Sequence, residues 1–167
     1  MNKELKTKRL VLKEILDQDK EKMIAIFSDP LVSKTYMIPS FNNDQEKEDF
    51  FYRLKRITKE RIAYGIYYHN EIVGFINEVS KDSDKIEVGY FIDSKEWNKG
   101  IATEALKAMI LELFELGFKI VIAGYFDFNI ASKRVMEKCG MEAIKQEDII
   151  EYRGNNYLCK YYSITRK

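Results

Sequence analysis

The sequence predicts an α/β domain whose core is a mixed, mostly antiparallel twisted sheet of about seven strands, accompanied by about four helices. Three segments rich in β-forming residues, 62–68, 72–79 and 86–93, follow one another with only short polar turns between them, which is typical of an antiparallel meander. The clearest helical pattern, at 102–116, is followed at once by an apolar run at 119–125. Because a strand, a helix and a second strand in that order form a crossover with parallel strands, the sheet is expected to be mixed.

The first third of the chain is predicted to form one strand and two helices. Residues 7–15 alternate apolar and charged side chains, which indicates a strand. Asp17 or Asp19 can cap a first helix that Pro30 ends, because the residue before a proline disfavours helical geometry. A second helix is expected over 44–61, where an Asn-x-x-Glu pattern resembles a capping box and apolar residues recur at helical spacing.

The last third completes the sheet. The broad apolar stripe of 102–116 is expected to stop at Gly117, which supplies the left-handed residue that commonly ends a helix. A short helix should begin at Asn129, a favoured capping residue. The segments 142–152 and 157–165 flank a polar Arg-Gly-Asn-Asn turn and are predicted to close the fold as a hairpin. With no linker or internal repeat, residues 1–167 are expected to form one domain.

Composition excludes several classes of function. The 28 Lys and Arg residues balance the 27 Asp and Glu residues, and a net charge of +1 gives no overall attraction to nucleic acid or to an anionic membrane. No apolar run of about 18 residues is present to span a bilayer, and the charged N-terminal segment does not resemble a secretory signal. The single histidine, His69, and two cysteines without metal-ligand spacing, Cys139 and Cys159, predict no metal site. A cytoplasmic enzyme or binding domain is therefore expected.

The loop before the clearest helix has the features of a phosphate-binding site. Residues 97–102, Trp-Asn-Lys-Gly-Ile-Ala, lead directly into that helix, whose first N–H groups are unpaired and whose dipole is positive at this end. Gly100 and the small Ala102 would let an anion approach the backbone, and Lys99 adds a positive charge. Neither the P-loop pattern nor the dinucleotide-binding glycine pattern is present. A plain tight turn is the alternative interpretation.

Two segments resemble the motifs of one enzyme superfamily. GYFIDSKEWNKGIATEAL, at 89–106, is similar to motif A of the GNAT acetyltransferases, in which a Q/R-x-x-G-x-G/A loop follows the fourth strand and grips the pyrophosphate of acetyl-CoA. Residues 129–141 resemble motif B, N-x-x-S-x-x-[VL]-[ML]-E-K-x-G-[FM]. Trp97 stands where many members have Gln or Arg, and this departure, together with the opening TKRLVLKEILDQD, is similar to the RimJ/RimL-like branch.

The resemblance covers nearly the whole chain and implies an N-acetyltransferase that moves an acetyl group directly from acetyl-CoA, its co-substrate, to a primary amine. The implied acceptor is a protein N-terminal amine or, alternatively, a small molecule such as a polyamine or an antibiotic. A non-catalytic acyl-CoA-binding module is the alternative outside the enzymes. The residues implied to contact acetyl-CoA are Phe91, Ile92, Trp97, Asn98, Lys99, Gly100, Ile101, Ala102, Thr103, Asn129 and Ser132.

Two residues are candidates for proton transfer. Glu87 is a carboxylate in the middle of a strand, on the face of Gly89, which is expected to leave space for a thioester; such a group has a raised pKa and can act as a base. The resemblance also implies a base at this position, whereas a purely structural carboxylate is the alternative. Many members protonate the leaving thiolate with a tyrosine seven residues after Asn129. That position is Met136 here, so the resemblance suggests Ser132 instead, although Ser132 could simply accompany the helix cap.

The acceptor pocket is expected in the loop between the first two helices, where members of the superfamily build it. Tyr36 and Phe41 lie in that loop and Tyr90 lies on the strand of the candidate base, so these three aromatic residues are the candidates for acceptor binding. Core packing is the alternative for the two loop residues. Exposed sheet edges predict a homodimer in which the last strand pairs between chains, since that strand is rich in tyrosine: Tyr157, Tyr161 and Tyr162.

Overall fold

Residues 2–167 are described by a computed structural model, in which helices cover both faces of one eight-stranded sheet. The strands are β1 (Leu5–Lys6), β2 (Leu10–Lys13), β3 (Ala63–Tyr68), β4 (Glu71–Asp82), β5 (Lys85–Ile92), β6 (Ile120–Phe126), β7 (Glu142–Tyr152) and β8 (Asn155–Thr165). The helices are α1 (Lys20–Ser28), α2 (Pro30–Ser33), α3 (Asp44–Glu60), α4 (Ile101–Glu115) and α5 (Ile130–Lys138). Neighbouring strands follow the order β1-β2-β3-β4-β5-β6-β8-β7, and β5 with β6 is the parallel pair.

The mixed sheet and the predicted elements are confirmed, with two small differences. Residues 5–6 add a two-residue edge strand beside β2, too short to give a periodic signal. Pro30 does not simply end the first helix: α1 stops at Ser28, and Pro30 opens the one-turn helix α2. Proline is well suited to a first helical position because its ring fixes a helical φ and its missing N–H would be unpaired there. The Asp29 carboxylate caps this turn by accepting from Leu31 N at 2.9 Å.

β5 separates two hydrophobic cores. Ile86, Val88 and Ile92 are buried in the core formed with α4, while Phe91 is buried in the core formed with α1 and α3. This alternation is the one predicted from the strand pattern, because successive side chains of a strand point to opposite faces. Glu87 shares the face of Phe91 and is half-buried. The strand thus carries a carboxylate between two packed layers.

A gap opens between β5 and β6 toward the end of both strands. Their parallel pairing stops at Val88 and Ala123, although β5 continues to Ile92 and β6 continues to Phe126. On its other side β5 stays paired with β4 as far as Ile92. The gap therefore exposes one edge of β5 in the middle of the sheet, and the N-terminus of α4 lies just beyond it along the chain.

The expectation that the last strand pairs between chains is wrong. β8 lies inside the sheet between β6 and β7, so both of its edges already have partners. The edges of the sheet are β1 and β7, and β7 exposes a mostly acidic row that disfavours pairing with a copy of itself: Glu142, Glu147, Asp148 and Glu151. Within residues 2–167, no helix is long and apolar enough to cross a membrane.

Candidate active site

Two clefts flank the gap between β5 and β6 and meet beside it. The cradle cleft, of about 300 Å³, lies over the start of α4 and along α5. The aromatic cleft, of about 480 Å³, extends from α3 and the loop after α2 across to β8. Three side chains line both clefts, and each carries a hydroxyl group: Thr35, Tyr90 and Ser132.

The cradle cleft presents unpaired backbone donors at the start of α4. Gly100 precedes the helix with a φ of +77°, a left-handed conformation that glycine adopts without strain. The first intrahelical hydrogen bond is donated by Glu104 N to Gly100 O at 3.0 Å. The N–H groups of Ile101, Ala102 and Thr103 come before it in the chain and therefore have no carbonyl partner within the helix. No side chain caps this helix. The positive end of the dipole and the three N–H groups together form the type of site that binds phosphate.

Most of the predicted cofactor-binding residues line this cleft. They are Phe91, Ile92, Trp97, Asn98, Gly100, Ile101, Ala102, Thr103, Asn129 and Ser132. The indole N–H of Trp97 donates to Ile92 O at 2.9 Å and so fastens the loop to the end of β5. Lys99 is the exception among the predicted residues: it does not line the cleft, and its ammonium lies 2.7 Å from the Glu96 carboxylate, so its charge is largely compensated.

The positive charges that do line the cleft come from α5. Arg134 and Lys138 face it one helical turn apart, on the same side of the helix as Ala131. The sequence signal for these two residues is their i, i+4 spacing in the helix after Asn129, which lies outside the loop that precedes α4. Arg9, which the sequence did not single out, lies close to the start of α4: its guanidinium would be 3.3 Å from a Cβ placed on Gly100, and it pairs with Glu104 at 3.1 Å.

The exposed edge of β5 offers backbone donors to the gap. Asp93 N donates to Val73 O of β4. Because successive N–H groups of a strand point to opposite sides, the N–H of Phe91, two residues earlier, also points toward β4. The N–H groups of Tyr90 and Ile92 consequently face the gap, beyond the point where pairing with β6 ends. Of the two β5 residues implied to contact acetyl-CoA, Ile92 therefore directs its N–H group to the gap and Phe91 does not, while Tyr90 adds a second donor.

The aromatic cleft contains Tyr36 but not Phe41. Tyr36 lines the cleft and donates from its hydroxyl to Asn77 Oδ1 at 3.1 Å, and burial raises its pKa to about 12. Phe41 packs instead against Phe27 and Phe50, with ring centroids 5.5 and 5.6 Å away. Phe41 is half-buried against these two rings and does not line the cleft, so its position favours the core-packing alternative over acceptor binding.

Glu87 lines the aromatic cleft with few partners. The Ser80 hydroxyl lies 3.5 Å from its carboxylate, at the outer limit of a hydrogen bond. Burial raises the pKa of Glu87; the Ser80 contact opposes that shift and the charge of Asp148 adds to it. The space expected beside Gly89 is filled, however, because an added Cβ would lie 3.1 Å from Val79 Cγ2 and 3.3 Å from Tyr36 Cε2. Any substrate near Glu87 must therefore enter along the cleft rather than beside Gly89.

A clasp ties the loop that carries Tyr36 to the β7–β8 hairpin. The Tyr152 hydroxyl lies 2.8 Å from Ser33 O and accepts from Ile38 N at 3.1 Å. Arg153 donates from its guanidinium to Ile38 O at 3.0 and 3.2 Å. Because residues of both the loop and the hairpin line the aromatic cleft, the clasp fixes the distance between its two walls.

The two clefts join at a hydrogen-bonded pair. Tyr90 Oη and Ser132 Oγ are 2.9 Å apart, and Asn129 Oδ1 accepts from Ser132 N at 3.3 Å as the cap of α5. Burial raises the pKa of Tyr90. Met136, at the position where many members have a tyrosine, is fully buried in the core and lines neither cleft.

Comparisons with known proteins agree with this architecture. A family described as the acetyltransferase (GNAT) domain matches residues 9–142. The uncharacterized N-acetyltransferase YoaA of Bacillus subtilis is 28% identical over 172 residues, which cover 97% of this chain and 96% of that protein.

Two solved structures share the fold at low sequence identity. The acetyltransferase from Salmonella typhimurium that modifies the N-terminal serine of ribosomal protein L7/L12 superposes with a TM-score of 0.82 at 13% identity, covering 99% of this chain and all of that one. The microcin C7 self-immunity acetyltransferase MccE, solved with acetyl-CoA and AMP, superposes with a TM-score of 0.82 at 19% identity, covering 96% and 94% of the two chains.

The chain belongs to the acetyltransferase (GNAT) domain family, and its activity is acyl-CoA-dependent N-acetyl transfer. In this chain the sheet is mixed, and a gap opens between its parallel strands β5 and β6. The solved structures that share its fold include an acetyltransferase of a ribosomal protein.

Proposed function

We propose that the chain transfers the acetyl group of acetyl-CoA to a primary amine, with acetyl-CoA in the cradle cleft and the amine in the aromatic cleft. The observation that carries the proposal is the meeting of the two clefts at Tyr90 and Ser132. Two reactants held together at such a point react as one complex, which supplies up to about 7–11 kcal/mol of the barrier. Direct transfer then needs no acyl-enzyme.

Acetyl-CoA fits the cradle cleft in charge and shape. Its pyrophosphate would accept from the N–H groups at the start of α4, and Arg134 and Lys138 would face its phosphates. Its thioester would reach the gap in the sheet, where the N–H groups of Tyr90 and Ile92 can polarise the carbonyl oxygen. Ser132 and Asn129 would lie along the pantetheine arm.

Glu87 is proposed to take the proton of the attacking amine, directly or through a water molecule. A lysine-like amine has a pKa of about 10.4 and an α-amine about 7.7–8.0, so most of the acceptor arrives as ammonium at neutral pH. The raised pKa of Glu87 makes it a stronger base than an exposed carboxylate. Its weak contact with Ser80 leaves the carboxylate available to a substrate.

The acceptor is proposed to be a slender chain that ends in a primary amine, such as a protein N-terminus entering end-on. The clasp holds the two walls of the aromatic cleft together, which favours a narrow acceptor over a folded surface. A small-molecule amine is the second candidate, because about 480 Å³ is within the usual size range of small-molecule pockets. The aromatic walls suit an acceptor that is partly apolar next to its amine.

The release of free thiol from acetyl-CoA tests the proposal across a panel of α-amino peptides, polyamines, aminoglycosides and simple alkylamines. We expect amine-dependent thiol release with at least one class, and mass spectrometry should find the acetyl group on the amine. Binding of acetyl-CoA without thiol release for any amine would instead identify a non-catalytic acyl-CoA-binding module.

A further inference from the structure

The point where the clefts meet restricts which group can protonate the leaving thiolate. If each cleft holds one substrate, the sulfur lies at their junction, and only Thr35, Tyr90 and Ser132 line both clefts. Thr35 already donates its proton to Val32 O at 2.7 Å. Met136 occupies the position of the tyrosine that many members use as the proton donor. It is buried in the core and has no hydroxyl group, so it cannot protonate the sulfur. Tyr90 and Ser132 remain, and they are bonded to each other.

The two hydroxyls differ in acidity. A phenol has an ordinary pKa of about 10, and burial raises the pKa of Tyr90 above that value. Its hydroxyl still lies closer in acidity to a thiol, whose pKa is about 8.5, than the far less acidic hydroxyl of serine does. Proton transfer is most effective when donor and acceptor are nearly matched. Ser132 is better suited to donate its own hydrogen to Tyr90 Oη, 2.9 Å away, because that bond turns the phenolic hydrogen outward and stabilises a tyrosinate.

We propose that Tyr90 is the proton donor to the sulfur of the leaving thiolate and that Ser132 is the residue that orients it. The inference rests on the proposed function. The amine nitrogen forms a bond to the acetyl carbon, and the carbon–sulfur bond breaks with its electron pair going to sulfur. Sulfur then takes the phenolic proton of Tyr90. An ammonium acceptor must lose two protons to become an amide: Glu87 passes the first to solvent before the attack and takes the second as the carbon–nitrogen bond forms. Solvent returns that proton from Glu87 to the tyrosinate, so both residues are reset.

Replacement of sulfur by selenium in the acyl donor tests this role. A selenol is a much stronger acid than a thiol, so a selenolate leaves without being protonated. We expect Tyr90→Phe to lower kcat with acetyl-CoA by about 10–100-fold, toward the low end of what a general acid contributes because a thiolate is already a fair leaving group. With acetyl-seleno-CoA the same variant should lie within about threefold of the wild type. The KM for acetyl-CoA should not change.

Tyr64→Phe is the matched control, because Tyr64 is buried on β3 in neither cleft and its hydroxyl has no hydrogen-bond partner within residues 2–167. This variant should match the wild type with both donors. If Tyr90→Phe is too unstable to assay, Ser132→Ala should give a smaller loss with acetyl-CoA that also disappears with the selenoester.

The outcomes separate this inference from the proposed function. Suppose that the wild type turns over. Full activity of Tyr90→Phe, or an equal loss of its activity with the sulfur and selenium donors, would then overturn the role of Tyr90 but leave amine acetylation standing. An equal loss for the two donors in Ser132→Ala would overturn it in the same way. Absence of turnover by the wild type with every amine would overturn the proposed function and the role of Tyr90 together.

Discussion

The ionised carboxylate of Glu87 contributes little to the stability of the folded protein. It is half-buried, its one hydrogen bond is long, and its pKa is raised mainly by burial. A carboxylate whose pKa is higher in the folded than in the unfolded chain destabilises the fold wherever it is ionised. A role in proton transfer therefore explains a half-buried, weakly bonded carboxylate at this position better than a role in packing does.

At the residue scale, Glu87→Gln should therefore lose activity and gain stability. We expect kcat to fall by about 10²–10⁴ at pH 7, and the loss should shrink as pH rises and free amine accumulates, while acetyl-CoA affinity stays constant. The melting temperature should rise at pH 7. That gain should shrink as pH falls and vanish near pH 3, well below the unfolded pKa of about 4.3, because Glu87 is then protonated in both states.

Kinetic pH profiles and thermal unfolding of the wild type and Glu87→Gln measure these changes. The control is Glu142→Gln, at an exposed position, which should change neither kcat nor the melting temperature. A pH-independent loss of activity accompanied by a lower melting temperature would show that Glu87 has a structural role. Full activity at pH 7 would show that water alone deprotonates the amine.

At the scale of elements, the start of α4 is the part of the cradle cleft that a single side chain can block. Gly100→Asp introduces a strained left-handed residue and a negative charge where the pyrophosphate should lie. We expect the affinity for acetyl-CoA to fall more than tenfold by calorimetry, a change of over 1.4 kcal/mol. Gly117→Asp is the matched control, because Gly117 is also left-handed, with a φ of +101°, but follows the opposite end of α4. Equal affinity in the two folded variants would place the phosphate site elsewhere.

The clasp between the β7–β8 hairpin and the loop of Tyr36 is expected to determine acceptor binding. Tyr152→Phe removes the hydroxyl that pairs with Ser33 O and Ile38 N, which should cost about 1–3 kcal/mol of stability. We expect a higher KM for the amine with an unchanged KM for acetyl-CoA, because the loosened loop lines the aromatic cleft. Steady-state kinetics would measure both constants.

Tyr157→Phe is the control for the clasp. Its ring contacts Phe126 and Tyr152, but its hydroxyl makes no hydrogen bond within the part of the chain that the structure describes. An unchanged KM for the amine in Tyr152→Phe, or an equal change in both variants, would show that the clasp only supports the fold.

These elements also show which features the sequence could predict. Local patterns are sufficient for α4, for the alternation of β5 and for the cap at Asn129, because each depends on neighbours within one or two turns of chain. The clasp joins residues 114 positions apart, and no periodicity connects them. Likewise, the apparent space at Gly89 is filled by Tyr36, which reaches it from another element.

At the scale of the whole molecule, the proposed function places the two substrates in separate clefts that meet at one place. The net charge of +1 provides no general attraction for anions, whereas the cradle cleft places Arg134 and Lys138 near the start of α4. The gap between β5 and β6 lies between the two clefts and supplies backbone donors at their junction. This arrangement requires that both substrates be bound before the acetyl group moves.

Initial rates measured while both acetyl-CoA and the preferred amine are varied test this requirement most directly. Direct transfer in a ternary complex predicts double-reciprocal lines that intersect, because no product leaves between the binding of the first substrate and the binding of the second. Parallel lines would mean that an acetyl-enzyme forms and the thiol leaves before the amine binds. That result would contradict the account of two clefts that meet at Tyr90 and Ser132.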